Sequence, residues 1–258
     1  MKLSVLILII LLSVTRVSAN DLGYATSLDG QLWLVDFTAK TSNSIGDTGL
    51  IFQAIALRAD GVLFGTTNSG KLYTINTTTA SPTLIGNTTL GDIESLDFSV
   101  NSLLAMDFSQ RSPVYEIEQT TAVPNIVTTP NYQIGSVRAA AVMDTDTWIA
   151  RGDELSPSLY KIDLSTGDTE LFRISDTFLE MYGMDYINGQ LYGVGESGKL
   201  YRINNSNGLP GTFGDTGNQF YLGLTALTDG TVPEPTSVVT AVVGSLCILL
   251  LRLRSPSI

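Results

Sequence analysis

Carboxylates are the main residues of this chain that could do chemistry, because the chain contains no histidine and a single cysteine, Cys247. These absences exclude histidine-based catalytic triads, histidine-ligated zinc and a disulfide framework. Paired carboxylates can hydrolyse a glycosidic bond, and they can also bind calcium or magnesium through oxygen. Which carboxylates come together depends on the elements that position them.

A short strand-like segment recurs along the chain, and each copy joins a leucine or valine to a tyrosine or tryptophan. The copies occupy residues 30–36, 70–76, 114–118, 159–163 and 198–204. An interval of about 40 to 45 residues, with three more strand-like runs between copies, is typical of a propeller with four-stranded blades. The pattern therefore predicts an all-β fold, a β-propeller of five four-stranded blades.

The first copy indicates how the ring closes. Residues 24–33 align without gaps with residues 64–73, so this copy begins at the second strand of a blade. The missing innermost strand is predicted at the other end of the domain, in residues 222–227. One C-terminal and three N-terminal strands would complete the blade and remove the open edges of the ring.

Within each predicted innermost strand, large apolar residues alternate with small or polar ones. We expect the apolar set to pack between sheets and the second set to line the channel, where space is short. The second set is Ala54, Ala56, Ser95, Asp97, Ala139, Ala141, Gly183, Asp185, Gly223 and Thr225. We also expect the tyrosine or tryptophan of each recurring segment to pack between blades and not to serve as a platform for sugars.

Asp97 and Asp185 are the only carboxylates in the predicted channel wall. Two such groups could share a cation, and calcium or magnesium would suit their oxygen atoms. They could equally accept hydrogen bonds from turn amides of their own blades. Calcium held by Asp97 and Asp185 is therefore one hypothesis and a structural role is the other; no other cofactor is expected.

The mouth of the channel at which the innermost strands begin is the expected ligand site, by analogy with other propellers. The first strand residues there include glutamate, arginine and tyrosine, and the connections at 107–113 and 151–157 open onto the same face. The residues predicted to bind a ligand near the third and fourth blades are Gln53, Glu94, Arg111, Arg138, Arg151, Asp153 and Tyr182. The alternative is that these charges are ordinary solvated loop residues.

The N-terminal residues 1–19 have the features of a secretory signal peptide. Lys2 is followed by an apolar stretch, and Val17-Ser18-Ala19 forms a small-residue cleavage site. The alternative is an uncleaved anchor. Cleavage would leave residues 20–231 as the propeller domain.

The C-terminal residues 232–258 divide into three parts. Val232-Pro233-Glu234-Pro235 cannot continue a strand and therefore ends the globular domain. An apolar run predicts a helix at about 237–251, shorter than the roughly 20 residues that usually cross a bilayer. Arg252 and Arg254 follow, as expected for a segment held on the cytoplasmic side of a membrane.

This order of a Pro-Glu-Pro motif, an apolar helix and a basic tail resembles the PEP-CTERM sorting signal of exported bacterial proteins. The resemblance covers residues 232–254. It implies an exosortase-type membrane transpeptidase as a partner, contact with the membrane through the C-terminal helix, and delivery to the cell envelope or the extracellular space. The alternative is a plain C-terminal membrane anchor after a proline linker.

Two function classes fit these features. A formal net charge of −11 disfavours binding to nucleic acid, and the chain has no glycine-rich phosphate loop. The favoured function is an exported, noncatalytic binding module that engages extracellular polysaccharide or an envelope protein. The alternative is a carboxylate-dependent glycoside hydrolase built on a five-bladed propeller, which would need one protonated and one ionised acid in a deep pocket.

Overall fold

The computed structural model describes residues 21–109, 112–152, 157–217 and 219–227. Within these ranges, twenty strands form five antiparallel sheets of four strands each. This arrangement confirms the predicted all-β, five-bladed propeller. The predicted signal peptide and the predicted sorting segment with its helix lie outside the described residues. None of the helices in the described ranges has the length and apolar character needed to cross a membrane.

The strands follow the chain blade by blade. Blade 1 contains β1 (Leu22–Ser27), β2 (Gln31–Asp36) and β3 (Thr41–Asp47). Blade 2 contains β4 (Phe52–Leu57), β5 (Leu63–Thr67), β6 (Lys71–Ile75) and β7 (Pro82–Asn87). Blade 3 contains β8 (Ile93–Ser99), β9 (Ser102–Asp107), β10 (Val114–Ile117) and β11 (Pro124–Thr128).

The last two blades continue this plan. Blade 4 contains β12 (Ala139–Val142), β13 (Thr147–Gly152), β14 (Ser158–Asp163) and β15 (Thr169–Ile174). Blade 5 contains β16 (Met181–Ile187), β17 (Gln190–Gly195), β18 (Lys199–Ile203) and β19 (Pro210–Asp215). Short 3-10 helices at Asp176–Glu180 and Glu196–Gly198 precede β16 and β18. The final strand, β20 (Tyr221–Ala226), is the innermost strand of blade 1.

The ring closes between the two ends of the domain. Strand β20 pairs antiparallel with β1, with Gly23 opposite Ala226 and Tyr24 opposite Thr225. This pairing confirms the predicted closure by one C-terminal and three N-terminal strands. It gives blade 1 its innermost strand, so the ring has no gap between blades 5 and 2.

The hydrophobic core of the described residues is divided into five clusters, one at each interface between neighbouring blades. Ala54 and Ala56 pack with residues of blade 3, whereas Ile55 belongs to the cluster with Tyr24 of blade 1. The two alternating sets of an innermost strand therefore face the two neighbouring blades. Five members of the small set line the channel as predicted, but Leu96 and other members of the apolar set, which was expected to pack only between sheets, line it as well.

Small residues on the innermost strands have a different cause, the convergence of the sheets near the axis. A Cβ atom on Gly183 would lie 2.8 Å from the backbone nitrogen of Leu224, and one on Gly223 would lie 3.1 Å from that of Ile55. Real Cβ atoms rarely approach other atoms so closely. The spacing between neighbouring blades, and not the width of the channel, therefore requires glycine at these two positions.

The aromatic residue of each recurring segment does pack between blades in the four cases that belong to a described cluster. Tyr160 and Tyr201 are fully buried, and Trp33 and Tyr73 are partly buried in their clusters. The indole nitrogen of Trp33 also donates a hydrogen bond of 2.8 Å to the Ser27 hydroxyl. These contacts confirm the predicted structural role for these four aromatic residues.

Candidate functional site

One mouth of the channel is built from β-bulges on the innermost strands. Between β8 and β9, Ile93 pairs with Asp107 and Ser95 pairs with Met106, so Glu94 is the extra residue of the bulge. The equivalent irregularities fall at Gln53, Tyr182 and, between Tyr221 and Leu224, beside Leu222. A bulge redirects the side chain of its extra residue. We call this end of the channel the upper mouth and define it by Gln53, Glu94, Arg138, Tyr182 and Leu222.

Arg138 reaches the upper mouth in the same way. Its backbone N–H donates to the carbonyl of Arg151 at 3.1 Å, while Ala139 is the residue that pairs with Arg151 in the ladder. Arg138 and Ala139 therefore both lie opposite Arg151 of β13, which is the same two-to-one arrangement as in the bulges of the other blades. The residues that the sequence placed first in each innermost strand are thus bulge residues.

Glu94 is the most buried acid of the upper mouth, with 9% of its surface exposed, and its side chain is hydrogen-bonded to that of Asp92. Burial, followed by the negative charge of Asp92, raises the pKa of Glu94 to about 7, against the opposing charges of Arg138 and Arg151. Burial also raises the pKa of Asp92. The buried Oδ1 of Asp92 has no hydrogen-bond partner among the described residues. An ionised pair would be costly in this setting, which is why the protonated form of Glu94 persists to higher pH than that of an exposed glutamate.

Arg138 lies between two aromatic rings that come from the neighbouring blades. Its guanidinium carbon is 4.9 Å from the ring centre of Phe108 in blade 3 and 5.8 Å from that of Tyr182 in blade 5. No carboxylate of the described residues lies within ion-pair distance of Arg138. The cation–π contacts hold the guanidinium at the rim, and its N–H donors make no ion pair among the described residues.

The floor and side of the upper mouth come from blades 4 and 5. Arg151 is 2% exposed in β13, close enough for its charge to lower the pKa of Glu94 and of Tyr182. The hydroxyl of Tyr182 donates a 3.0 Å hydrogen bond to Oε1 of Glu196, and its ring contacts that of Phe220 at 4.9 Å. Burial is the main reason why the pKa of Tyr182 is raised. Tyr182 is thereby held as a rigid wall beside Arg138.

The channel below the upper mouth is almost closed. The cavity between the innermost strands measures about 10 Å³ and is lined by Glu94, Ser95, Tyr182 and apolar neighbours. This volume corresponds to about one water molecule. The buried hydroxyl of Ser95 has no partner among the described residues. A ligand of sugar size would therefore bind on the rim of the upper mouth and not inside the channel.

The opposite end of the channel, which we call the lower mouth, contains Asp97, Asp185 and Thr225 on three of the five innermost strands. Each aspartate accepts two backbone N–H bonds, one from the next residue of its own strand and one from the following blade. For Asp97 the donors are Phe98 at 2.7 Å and Val142 at 2.6 Å; for Asp185 they are Tyr186 and Ala226, both at 2.6 Å. The Thr225 hydroxyl accepts from Leu57 at 2.9 Å.

The five backbone N–H groups that donate these bonds belong to equivalent residues, one on each innermost strand. An innermost strand has no neighbour on its channel side, so its N–H groups there lack a strand partner. Three side chains accept hydrogen bonds from all five and connect blade 1 to blade 2, blade 3 to blade 4, and blade 5 to blade 1. The lower mouth is therefore a hydrogen-bonded closure of the ring.

The two aspartates of the lower mouth border a cavity of about 230 Å³. Burial raises the pKa of Asp185 to about 6, against the stabilising effect of its N–H donors. Burial and then the charge of Asp185 raise the pKa of Asp97 well above its ordinary value. Calcium takes six to eight oxygen ligands, and the described residues form no cluster of three or more metal-ligating side chains. The geometry favours the hydrogen-bonding alternative, but the donors are strand amides and not turn amides, and one donor to each aspartate comes from the following blade and not from its own. Calcium at this pair stays a prediction.

The structure brings together four of the residues that the sequence singled out for binding, namely Glu94, Arg138, Arg151 and Tyr182. Gln53 occupies the equivalent bulge of blade 2. Arg111 and Asp153 lie outside the described residues, as do the sorting residues Val232, Pro233, Glu234, Pro235, Arg252 and Arg254. Sequence reasoning missed Asp92, Phe108 and Glu196. The proximity of Asp92 to Glu94, two positions apart at the start of one strand, is the signal that could have identified Asp92.

Comparison with known proteins identifies the fold and leaves the function open. A family model described as "Repeat of unknown function (DUF6923)" matches residues 100–225, from the β8–β9 turn to β20. None of the curated proteins matches the chain. The structure matches 1284 chains of solved structures, and a fold shared so widely does not by itself indicate a function.

One such structure is described as "Crystal structure of Nidogen/Laminin Complex". A chain in it superposes with a TM-score of 0.53 at 12% sequence identity, covering 80% of this chain and 84% of that one. At this identity the likeness is one of fold. The chain is thus a five-bladed β-propeller with a polar, aromatic-lined upper mouth and a hydrogen-bonded lower mouth.

Proposed function

We propose that this protein is an exported, noncatalytic binding module whose ligand binds at the rim of the upper mouth. The observation that carries the proposal is Arg138, held between two aromatic rings at a rim, with no ion-pair partner among the described residues. The similar chain belongs to a structure of a two-protein complex, in keeping with an interaction role. The ligand classes proposed are extracellular polysaccharide and envelope protein.

The closed channel and the contact between the acids support a noncatalytic role. Glycosidases of the two-carboxylate type hold their acids about 5 to 10 Å apart, with the substrate between them. Asp92 and Glu94 are hydrogen-bonded to each other, and the cavity beneath them has about 10 Å³. Neither feature leaves room for a sugar between the two carboxyl groups.

A glycoside hydrolase is the second candidate, because the pKa of Glu94 is raised to about 7. A group of this kind is protonated at neutral pH and can act as a general acid. Chromogenic glycosides incubated with the purified protein and with its Glu94→Gln variant separate the two functions. The binding module predicts no turnover by either protein; turnover that is lost in the variant would establish the hydrolase.

The proposed export rests on the PEP-CTERM-like segment and the signal peptide. We propose that an exosortase-type transpeptidase processes the chain near Pro235 and that the propeller then acts at the cell surface or outside the cell. Intact-mass analysis of the exported protein tests this step. A mature species that lacks residues 1–19 and the segment after Pro235 is expected; a species that retains the C-terminal segment would indicate a permanent anchor.

Binding itself is tested by a glycan array and by capture of envelope proteins with the purified protein. The Phe108→Ala and Tyr182→Ala variants remove the two rings that hold Arg138, and they should reduce capture of the ligand. Phe213→Ala, on the outermost strand β19 of blade 5, is a matched aromatic control at a blade interface. A ligand that both mouth variants bind as well as the wild type does would place the binding site elsewhere.

A further inference from the structure

The donor and acceptor capacity of the upper mouth indicates the chemistry of its ligand. Resting on the proposed binding function, we infer that the rim takes an acidic sugar, a uronic acid residue of an extracellular polysaccharide, and that Arg138 binds its carboxylate. The inference follows from which polar groups of the upper mouth are already used and which are not.

The acids of the upper mouth are already engaged. Asp92 and Glu94 are hydrogen-bonded to each other, and Glu196 accepts the hydroxyl of Tyr182. The positive charges of Arg138 and Arg151 also act on Glu94. A cationic ligand would therefore be repelled by Arg138 and Arg151, and the carboxylate oxygen left without a hydrogen bond, Oδ1 of Asp92, is buried and out of its reach.

Arg138 is in the opposite situation. The residue is partly exposed, its guanidinium carbon lies over the rings of Phe108 and Tyr182, and it has no side-chain hydrogen bond or ion pair among the described residues. A guanidinium is planar and presents parallel N–H donors that match the two oxygens of a carboxylate. This match makes Arg138 a specific receptor for a carboxylate and not a diffuse positive charge.

The surroundings of Arg138 favour a sugar over an acidic peptide. The ring of Phe108 is 39% exposed beside the guanidinium, and Gln53 and Glu196 are only partly buried at the same end of the channel. An aromatic face with polar acceptors around it suits a pyranose ring, which has an apolar face and several hydroxyl donors. An acidic peptide would satisfy Arg138 but would offer few hydroxyl groups to these acceptors.

The test uses two trisaccharides with the same sugar rings, the charged tri-galacturonate and its uncharged methyl ester, titrated calorimetrically into the full-length protein. Arg138→Met should weaken binding of the acid about 10- to 100-fold, as expected for a charge-assisted bidentate contact, and should change ester binding less than about threefold. Arg138→Lys should recover only part of the loss because the ammonium lacks the planar fork. Arg202→Met, an exposed arginine on β18, is the matched control and should behave as wild type.

The pH dependence of binding provides an independent test of the inference. Glu94 faces Asp92, Arg138 and Arg151, and its pKa is about 7, so its negative charge is removed as the pH falls below 7. An acidic sugar stays ionised to far lower pH and should bind more tightly at pH 5.5 than at pH 8. The Glu94→Gln variant should lose this dependence.

Four outcomes would overturn the inference. Equal binding of acid and ester, with no effect of Arg138→Met, would refute the carboxylate contact but leave the proposed binding function standing. Arg138-dependent binding of a glutamate-rich peptide, with no binding of either trisaccharide, would refute the sugar. Spermidine binding that strengthens at pH 8 and is lost in Glu94→Gln would establish a cation site. Binding of neither trisaccharide nor peptide would refute the acidic ligand. The proposed function itself falls only if neither the glycan array nor the capture of envelope proteins finds a ligand sensitive to Phe108→Ala.

Discussion

The two mouths of the channel carry the same kinds of residue on the same strands and use them in opposite ways. Glu94 and Asp97 are three residues apart on β8, and Tyr182 and Asp185 are three residues apart on β16. At the lower mouth, every oxygen of the two aspartates accepts a backbone N–H. At the upper mouth, the acids are hydrogen-bonded to side chains and Arg138 has no ion-pair partner among the described residues.

This difference teaches that burial and a raised pKa do not by themselves mark a functional carboxylate. Asp185 and Glu94 are both buried, and burial raises the pKa of both. Asp185 joins blade 5 to blade 1 through an amide of the neighbouring blade, whereas Glu94 makes no such contact. The hydrogen-bond partner of the carboxylate distinguishes the two roles. A backbone amide of a neighbouring blade indicates a structural role, and another side chain of the rim is compatible with a binding role.

The largest effect is expected when a lower-mouth aspartate is removed. Asp185→Ala leaves the buried N–H groups of Tyr186 and Ala226 without acceptors, so the free energy of unfolding should fall by about 3 kcal/mol. Asp185→Asn keeps one oxygen and should lose less. Urea unfolding at pH 7 measures both, and a loss below about 1 kcal/mol in the alanine variant would remove the structural role of the lower mouth.

A comparable effect is expected when a rise in pH ionises Glu94 at the upper mouth. The pKa of Glu94 is higher in the folded protein, about 7, than its ordinary value of 4.5. Protonated Glu94 therefore stabilises the fold at acid pH, and this contribution should be lost as the pH rises from about 4.5 through 7, amounting to about 3 kcal/mol. The unfolding free energies of wild type and Glu94→Gln, compared across this range, isolate the effect because Asp97 and Asp185 titrate in both proteins. A wild type that gains stability with pH relative to the variant would contradict the raised pKa of Glu94.

Thr225 tests a single contact of the lower mouth. Thr225→Val keeps the shape of the side chain but removes the acceptor for the Leu57 N–H, and should cost about 1 kcal/mol. Thr225→Ser keeps the hydroxyl and is the matched control. Thermal unfolding of the two variants should rank serine above valine; the reverse order would mean that packing of the methyl group, and not the hydrogen bond, decides stability here.

The smallest effect on stability is expected at Arg138, which has no ion pair to lose. Arg138→Met keeps the apolar stem but loses the two cation–π contacts with Phe108 and Tyr182, so the free energy of unfolding should fall by no more than about 1 kcal/mol. Urea unfolding of Arg138→Met and Asp185→Ala under the same conditions compares the contributions of the two mouths to stability. A loss similar to that of Asp185→Ala would assign Arg138 to the framework of the ring.

Much of the fold could be predicted from the sequence because each blade repeats its own turn and packing signals. Turn dipeptides such as Asn188-Gly189, which has positive φ at both residues, join neighbouring strands, here β16 and β17. Ring closure also followed from the repeat, because the first copy lacks an innermost strand. The role of the small residues could not be derived from alternation alone, since both faces of an innermost strand contact neighbouring blades.

The candidate site could be predicted only in part. Glu94, Arg138 and Tyr182 were found because they begin the innermost strands, where the bulges lie. Phe108 and Glu196 were missed because they lie beyond the ends of strands, in a loop after β9 and in a short 3-10 helix. The alternation of side chains along a strand does not extend there, so the sequence gives no indication of which way these side chains point. The pairing of the lower-mouth aspartates with the following blade depends on contacts between repeats, which a single repeat does not encode.

The most direct test of the account is to map the bound acidic trisaccharide by amide chemical shifts in NMR spectra of the protein. The account predicts shifts at Glu94, Phe108, Arg138 and Tyr182 in the upper mouth, with the amides of the lower mouth, such as Val142, unchanged. Shifts confined to Val142 and its lower-mouth neighbours would contradict the account, because they would make the ring closure the binding site.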